Sequence, residues 1–268
     1  MTGVIASALV TGATDGIGKQ TARALISKGF RVFVHGRTLA KAEATCNELG
    51  GGEPVFGDLS RLSDVRGLAE RMLRATPTLD VLVNNAGVFV HERSTTEDGF
   101  ELTMAVNHFA PFVLTHALLP ALDAARAARC VHVSSVAHQR GGLDPDDLDA
   151  AKGFDGYGAY ARSKLANVLF SSAMARRTKT THNALHPGVI TTKLLKSGFG
   201  MSGAGVETGQ KTSVMVATDP ALEGVTGKYF SDEREVTPSK LARDTELAER
   251  LYAVSCARTG VTPLPLRG

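Results

Sequence analysis

The sequence has no tryptophan and only three cysteines, Cys46, Cys130 and Cys256. Three cysteines cannot all pair within the chain, and no C-x-x-C is present. Neither a disulfide framework nor a zinc site is expected, which points to a reducing compartment. No apolar run approaches the roughly 18 residues of a transmembrane helix. No basic stretch leads into an apolar core at the N-terminus, so no signal peptide is predicted. These absences predict a soluble, cytoplasmic protein without a membrane anchor. Charge of one sign is also lacking. Lys+Arg number 30 and Asp+Glu 27, a net charge of +3, and nothing in that balance calls for nucleic acid. There is no internal repeat and no linker rich in Pro or Ser. With 43% hydrophobic and 21% charged residues, disorder and a coiled coil are both excluded.

Glycine is what the chain has in abundance, 28 of 268 residues. Between the glycines, short β-branched runs alternate with amphipathic segments. Strands are predicted at Ala8–Val10 (within the apolar run Val4–Val10), Arg31–Val34, Pro54–Phe56, Val81–Val83, Cys130–Ser134 and near Thr181–Leu185. Helices are predicted over about Gly18–Lys28, Leu39–Leu49, Ser63–Ala75 (capped by Ser60 or Ser63), Phe100–Leu119, Tyr160–Arg176 and Ser239–Ser255. Strands alternating with helices predict an α/β fold, a doubly wound parallel sheet of Rossmann type in three α/β/α layers. A single domain over 1–268 is expected. It carries an exposed insertion at 138–158, rich in Gly and Asp, and a mobile substrate-covering loop at 190–215, centred on Ser197–Gly209.

The first strand runs into Thr11-Gly12-Ala13-Thr14-Asp15-Gly16-Ile17-Gly18, and a helix follows. Glycines let such a turn approach a pyrophosphate, and the helix N-terminus offers it unpaired N–H groups and a positive dipole end. The spacing G-x-x-x-G-x-G differs from the common G-x-G-x-x-G. It resembles the T-G-x-x-x-G-x-G motif of the short-chain dehydrogenase/reductase family. Asn84-Asn85-Ala86-Gly87, Asn107, Ser134-Ser135, Tyr160-x-x-x-Lys164 and Pro187-Gly188 match that family's further motifs in the same order. The stretches VNHFAPFVLTH, VSSVAH, HPGVITT and GKYFSD resemble the branch that contains retinol dehydrogenases and their bacterial relatives.

The resemblance implies a dinucleotide cofactor held by Gly12, Thr14, Asp15, Gly16, Ile17, Gly18, Asp58, Leu59, Asn84, Ala86, Gly87, Tyr160, Lys164, Pro187, Gly188, Val189, Thr191 and Thr192. At the end of the second strand, Val34-His35-Gly36-Arg37-Thr38 carries no carboxylate to take a ribose 2′-hydroxyl. Arg37 is instead able to fork onto a 2′-phosphate, with Thr38 adding a hydroxyl, so NADP(H) is expected. One departure stands out. Many NADP-preferring relatives carry a base just before Gly16, where this chain has Asp15.

Tyr160 and Lys164 are spaced i, i+4 and stack on one helix face. A nearby ammonium is expected to lower the pKa of the phenol, which alone is near 10. Tyr157 competes poorly, because its i+4 residue is Ala161. Adjacent strand residues face opposite ways, so only one of Ser134 and Ser135 should reach the site. The resemblance implies that it is Ser135, orienting the substrate oxygen, with Ser134 bonding backbone. Asn107 matches the family asparagine that binds a water linking the lysine to solvent.

The implied activity is hydride transfer between NADP(H) and the carbonyl or alcohol of a small, lipophilic molecule, with reduction favoured in the cell. The alternatives are a non-catalytic NADP sensor on the same fold and an epimerase or dehydratase. The intact Ser135, Tyr160 and Lys164 speak against the first, and the glycine spacing against the second. Apolar candidates for the substrate lid are Leu194, Leu195, Phe199 and Met201. A homodimer or homotetramer is expected, assembled along the helices bearing Asn107 and Tyr160. His182 and His186 sit in a strand-like stretch, so no metal is expected there. The acidic run Asp144–Asp149 lacks EF-hand spacing. His138 and Arg140 are placed at the surface or beside the substrate.

Overall fold

Side chains alternate across a strand, so a sheet covered on both faces needs apolar residues at odd and even positions alike. The computed structural model, which describes residues 5–200 and 202–267, has this pattern. Its strands are β1 (Ser7–Val10), β2 (Arg31–Gly36), β3 (Glu53–Phe56), β4 (Val81–Asn84), β5 (Arg129–Val133), β6 (Thr181–His186), β7 (Tyr229–Ser231) and β8 (Arg234–Glu235). They form one sheet in the order β3-β2-β1-β4-β5-β6-β7-β8, parallel except for β8. Leu9, Leu82 and Cys130 pack on one face, against α3 (Leu62–Ala75), α5 (Ala110–Ala124) and α6 (Gly156–Ala175). Ala8, Val10, Val83, Val131 and Val133 pack on the other, with Leu25 of α1 (Gly16–Ser27), Cys46 of α2 (Leu39–Leu49) and Val216 of α8 (Lys211–Thr218). The chain order reverses between β1 and β4, which opens a crevice at the carboxyl ends of the strands. All three cysteines are buried and free.

Several elements differ from the expectation. The helix predicted over Phe100–Leu119 is built as α4 (Leu102–Met104), a π-turn (Ala105–Phe109) and α5, which continues through Pro120. Proline there forgoes the bond to the carbonyl four residues back and crowds that carbonyl, and the burial of α5 outweighs this cost. The span Leu102–Ala124 is also long and apolar enough to cross a membrane by composition. Its most apolar window is 78% buried, so it is a core helix. Neither Ser60 nor Ser63 caps α3. Asp98 reaches back to accept from the Leu62 amide at 2.8 Å. The terminal helix is α9 (Thr245–Thr259), later than Ser239–Ser255, because Asp244 caps its start and Gly260, at φ +68°, ends it. β7 and β8 were not anticipated. Val4 and Met201 lie outside the described residues.

The two loops are more built than expected. Within 190–215 lies a helix, α7 (Lys193–Phe199), capped by Thr192 and ended by Gly200 at φ +61°. Thr191 Oγ1 donates to the Gly203 carbonyl and accepts from its amide, both at 2.8 Å, which pins the following turn. The 138–158 segment is tied down by ion pairs from Asp146 to Arg250 and from Asp149 to Arg258, both on α9. α6 also packs against α9, with Leu251 and Tyr252 in the same core as Phe170.

Candidate active site

The crevice is a cleft of about 880 Å³. At one end lie Arg37, Asp58 and Leu59. At the other lie Ser135, Tyr160, Lys164 and the Pro187-Gly188-Val189 turn, with Gly12, Thr14, Asp15, Gly16, Ile17, Gly18, Ala86 and Gly87 between.

The glycine turn shows why glycine is required. Gly12 has φ +63°, and a Cβ there would stand 2.9 Å from the Ala86 Cα. At Gly18 a Cβ would stand 2.3 Å from the Gly12 carbonyl oxygen. These residues let the turn fold onto β4 and onto itself. The first-turn amides of α1 have no intrahelical acceptor and open toward the cleft. His35 holds the turn from below. Its Nδ1 accepts from the Gly12 amide at 3.1 Å, so the ring proton is on Nε2, which donates to the Gly57 carbonyl at 3.0 Å. Burial pushes this imidazole down to about 4.

The departure at Asp15 is resolved in space. Its carboxylate accepts from the Gly16 amide and pairs at 2.7 Å with Lys193, the first residue of α7. A base, Lys193 of α7, thus stands beside the turn. Lys19, the nearby base in sequence, is paired with Glu48.

Three expected cofactor residues do not line the cleft. Asn84 donates to Thr115 Oγ1 at 3.0 Å, on the α5 side of the sheet. Its neighbour Asn85 lines the cleft and donates to the Thr11 carbonyl at 2.8 Å. Strand alternation carries this information, since residue 85 shares the face of Val81 and Val83. Thr38 caps α2 by accepting from the Lys41 amide, and Thr191 is engaged with Gly203. Of the two threonines after the Pro-Gly turn, Thr192 lines the cleft. Asp58 accepts from the amide and hydroxyl of Ser60. Burial opposes its ionisation, but those bonds and the charges of Arg37 and Arg61 keep its pKa below the ordinary value. Among the described residues no carboxylate ion-pairs with Arg37.

At the other end Ser134 and Ser135 part company. The Ser134 hydroxyl donates to the Lys164 carbonyl, whereas the Ser135 hydroxyl accepts from the Ala137 amide at 3.2 Å and faces the Tyr160 phenol. His138 fixes the Ser135 backbone. Its Nε2 accepts from the Ser239 amide at 3.1 Å, so Nδ1 carries the proton and donates to the Ser135 carbonyl at 2.7 Å. His138 is fully buried and so lies neither at the surface nor in the cleft lining.

Lys164 Nζ donates to the Val133 carbonyl at 3.0 Å and lies 5.5 Å from the centre of the Tyr160 ring. The expected lowering of the phenol pKa is absent. Burial dominates and pushes Tyr160 up to about 12, with the Ser135 bond acting in the other direction. Burial also brings Lys164 down to about 8. Phe199 of α7 contributes to the burial of the phenol, packing edge-on to Tyr160 at 5.4 Å and against Phe89 at 4.7 Å. Tyr157 lines the cleft and meets only the outer side of Phe199.

Asn107 is buried behind the cleft, in the π-turn. Its Oδ1 accepts from the Val88 amide, and its Nδ2 donates to the Val88 carbonyl and to Ser163 Oγ. These bonds tie the π-turn to Val88 and to α6 and make Asn107 a positioning residue. His182 lies in the core against His132, at 3.2 Å between ring nitrogens, while His186 reaches the cleft.

The residues present fit a dinucleotide, with a glycine turn that a Cβ would obstruct, a helix N-terminus and a cation at the far end. Comparison with known proteins agrees. Residues 6–201 match the family model described as short chain dehydrogenase. The chain is 39% identical to retinol dehydrogenase 12 of Bos taurus over 271 residues, covering 94% of this chain and 86% of that one. It is 37% identical to retinol dehydrogenase 14 of Homo sapiens over 288 residues, with the same coverage. A crystal structure of an uncharacterised protein from Mycobacterium paratuberculosis superposes with a TM-score of 0.83 at 32% identity, covering 97% of this chain and 95% of that one. A short chain dehydrogenase from Shigella flexneri, solved with NADP, gives 0.68 at 25% identity, covering 85% and 97%.

Proposed function

Because the chain belongs to the short-chain dehydrogenase family, oxidoreductases that use a nicotinamide cofactor, we propose that it reduces the carbonyl of a small lipophilic molecule with NADPH. The observation that carries this reading is the convergence of Ser135, Tyr160 and Lys164 at the end of the cleft opposite Arg37. The cofactor supplies the hydride. Ser135 holds the carbonyl oxygen, and Tyr160 gives it a proton as the alcohol forms. A phenol held up at about 12 keeps its proton at neutral pH, which suits the reducing direction. Lys164 holds the ribose beside the nicotinamide and remains largely cationic near pH 7.

Arg37 supports NADP(H) over NAD(H), because a guanidinium matches a 2′-phosphate and no carboxylate competes for it at the end of β2. The Shigella flexneri neighbour, solved with NADP, supports the same choice. Leu194, Leu195, Phe199 and Val189 give the substrate end an apolar lid, which supports a lipophilic substrate, as does the likeness to retinol dehydrogenases.

The test is NADPH oxidation across ketones, aldehydes, steroids and quinones, with NADH as control and Tyr160→Phe as the inactive reference. Turnover by the wild type that Tyr160→Phe loses while still binding NADPH is the expected result. NADPH binding without turnover of any carbonyl would overturn it in favour of a sensor.

A further inference from the structure

A second cavity of about 590 Å³ adjoins the cleft and shares Val136, Gln139 and His186 with it. Val136 directly follows Ser135, and His186 directly precedes the Pro187-Gly188 turn. The annex therefore opens beside the oxygen-holding serine, away from the apolar lid. Its wall is the β7–β8 hairpin, with Tyr229, Ser231, Asp232 and Arg234. The two hairpin residues Asp232 and Glu233 both have positive φ, +50° and +58°, where Asn-Gly is the usual choice. The Glu233 amide is held by Thr212 Oγ1 at 3.2 Å. A strained turn of charged residues, kept at the rim of a cavity, marks a place where side-chain identity matters more than turn propensity.

The chemistry of the lining selects its occupant. It presents one guanidinium, one carboxylate, one imidazole, one amide and the three hydroxyls of Tyr229, Ser231 and Thr237, with no net excess of either sign. His186 Nδ1 is buried without a hydrogen-bond partner at the junction of the two cavities. Among the described residues no ion pair engages Asp232 or Arg234. A carboxylate ligand would meet Asp232, and an ammonium ligand would meet Arg234. A hydroxyl donates and accepts, and so satisfies both.

We propose that the annex is a subsite for a hydroxyl-bearing arm of the substrate, with Asp232 accepting from it and Arg234 and Gln139 donating to it. The preferred substrate is then bipartite, with an apolar portion under Phe199 and Leu194, the reacting carbonyl at Ser135 and a hydroxylated arm toward β8. This inference rests on the carbonyl-reductase reading of the main cleft.

The test compares two probes, a straight-chain methyl ketone and the same ketone ending in a vicinal diol. The quantity read is the ratio of their kcat/KM values. The wild type is expected to favour the diol by roughly tenfold, the size of a single hydrogen bond to a charged group. Asp232→Asn and Arg234→Gln, both at exposed positions, should each bring the ratio down severalfold. Turnover of both ketones at equal kcat/KM, or a diol preference that survives both substitutions, overturns the annex while leaving the main reading intact. No turnover of either ketone, or of any other carbonyl, by the wild type overturns both.

Discussion

The hydroxyl of Ser134 donates to the main-chain carbonyl of Lys164 at 2.7 Å. The bond joins the end of β5 to the helix that carries the phenol and the ammonium. It leaves Ser135 as the serine whose hydroxyl meets Tyr160. The two serines should therefore fail differently. Ser134→Ala is expected to cost about 1 kcal/mol of stability, a typical hydrogen-bond value, with kcat changed by less than a few-fold. Ser135→Ala is expected to fold normally and lose roughly 10²–10³ in kcat. Urea unfolding and steady-state kinetics on both variants check this. A catalytic loss confined to Ser134→Ala would reverse the assignment.

Arg37 should decide between the two cofactors. Arg37→Asp removes the partner of a 2′-phosphate and places a carboxylate where two ribose hydroxyls would lie. Charge-assisted hydrogen bonds of about 1.5–3 kcal/mol translate into a swing of roughly 10- to 100-fold in the NADPH/NADH ratio of kcat/KM. An unchanged ratio would remove Arg37 from the recognition of the cofactor.

Phe199 should act on substrate more than on cofactor. Its ring spans Phe89, Tyr157 and Tyr160. Aromatic pairs are each worth about 0.5–1.5 kcal/mol beyond burial, so Phe199→Ala is expected to raise the KM for a lipophilic carbonyl by roughly 5- to 30-fold. It should also expose Tyr160 and lower its pKa, moving the alkaline limb of the kcat profile to lower pH. A KM rise for NADPH alone would contradict this.

Buried neutral histidines should make the fold sensitive to acid. Burial holds His35 near 4 and His108 and His132 near 3, and it lowers His182 as well. Above pH 6.5 these imidazoles are neutral whether the chain is folded or not. As pH falls below 6.5 the unfolded chain takes up protons that the folded one refuses, so stability falls progressively toward pH 3–4. Each group accounts for on the order of 3 kcal/mol across that window. Tm measured from pH 7.5 to 4 should drop steeply below pH 6. A flat profile to pH 4.5 would show that these rings are protonated in the fold.

Much of the architecture was legible because it rests on local rules. Alternating strands and helices gave the sheet, and glycine spacing gave the turn. What escaped was decided across the chain. The pairing of Asp15 with Lys193 joins residues 178 apart in sequence. The cap on α3 comes from Asp98, and the phenol is partly covered by a phenylalanine on a segment that reads as loop. Asn84 and Asn85 were an exception, because strand parity alone would have separated them. α9 was misplaced although Asp244 and Gly260 mark its ends in the sequence.

The π-turn at Ala105–Phe109 acts as a phase shift within a single rod. One extra residue in a helical ladder rotates everything after it by about 100° relative to everything before. Asn107 sits at the slip, facing Val88 and Ser163, while the residues beyond it keep the apolar face of α5 on the sheet. The span serves two masters whose periodicities do not match, the site at one end and the core at the other. Deleting a single residue between 105 and 109 would restore a regular helix and force one of the two out of register.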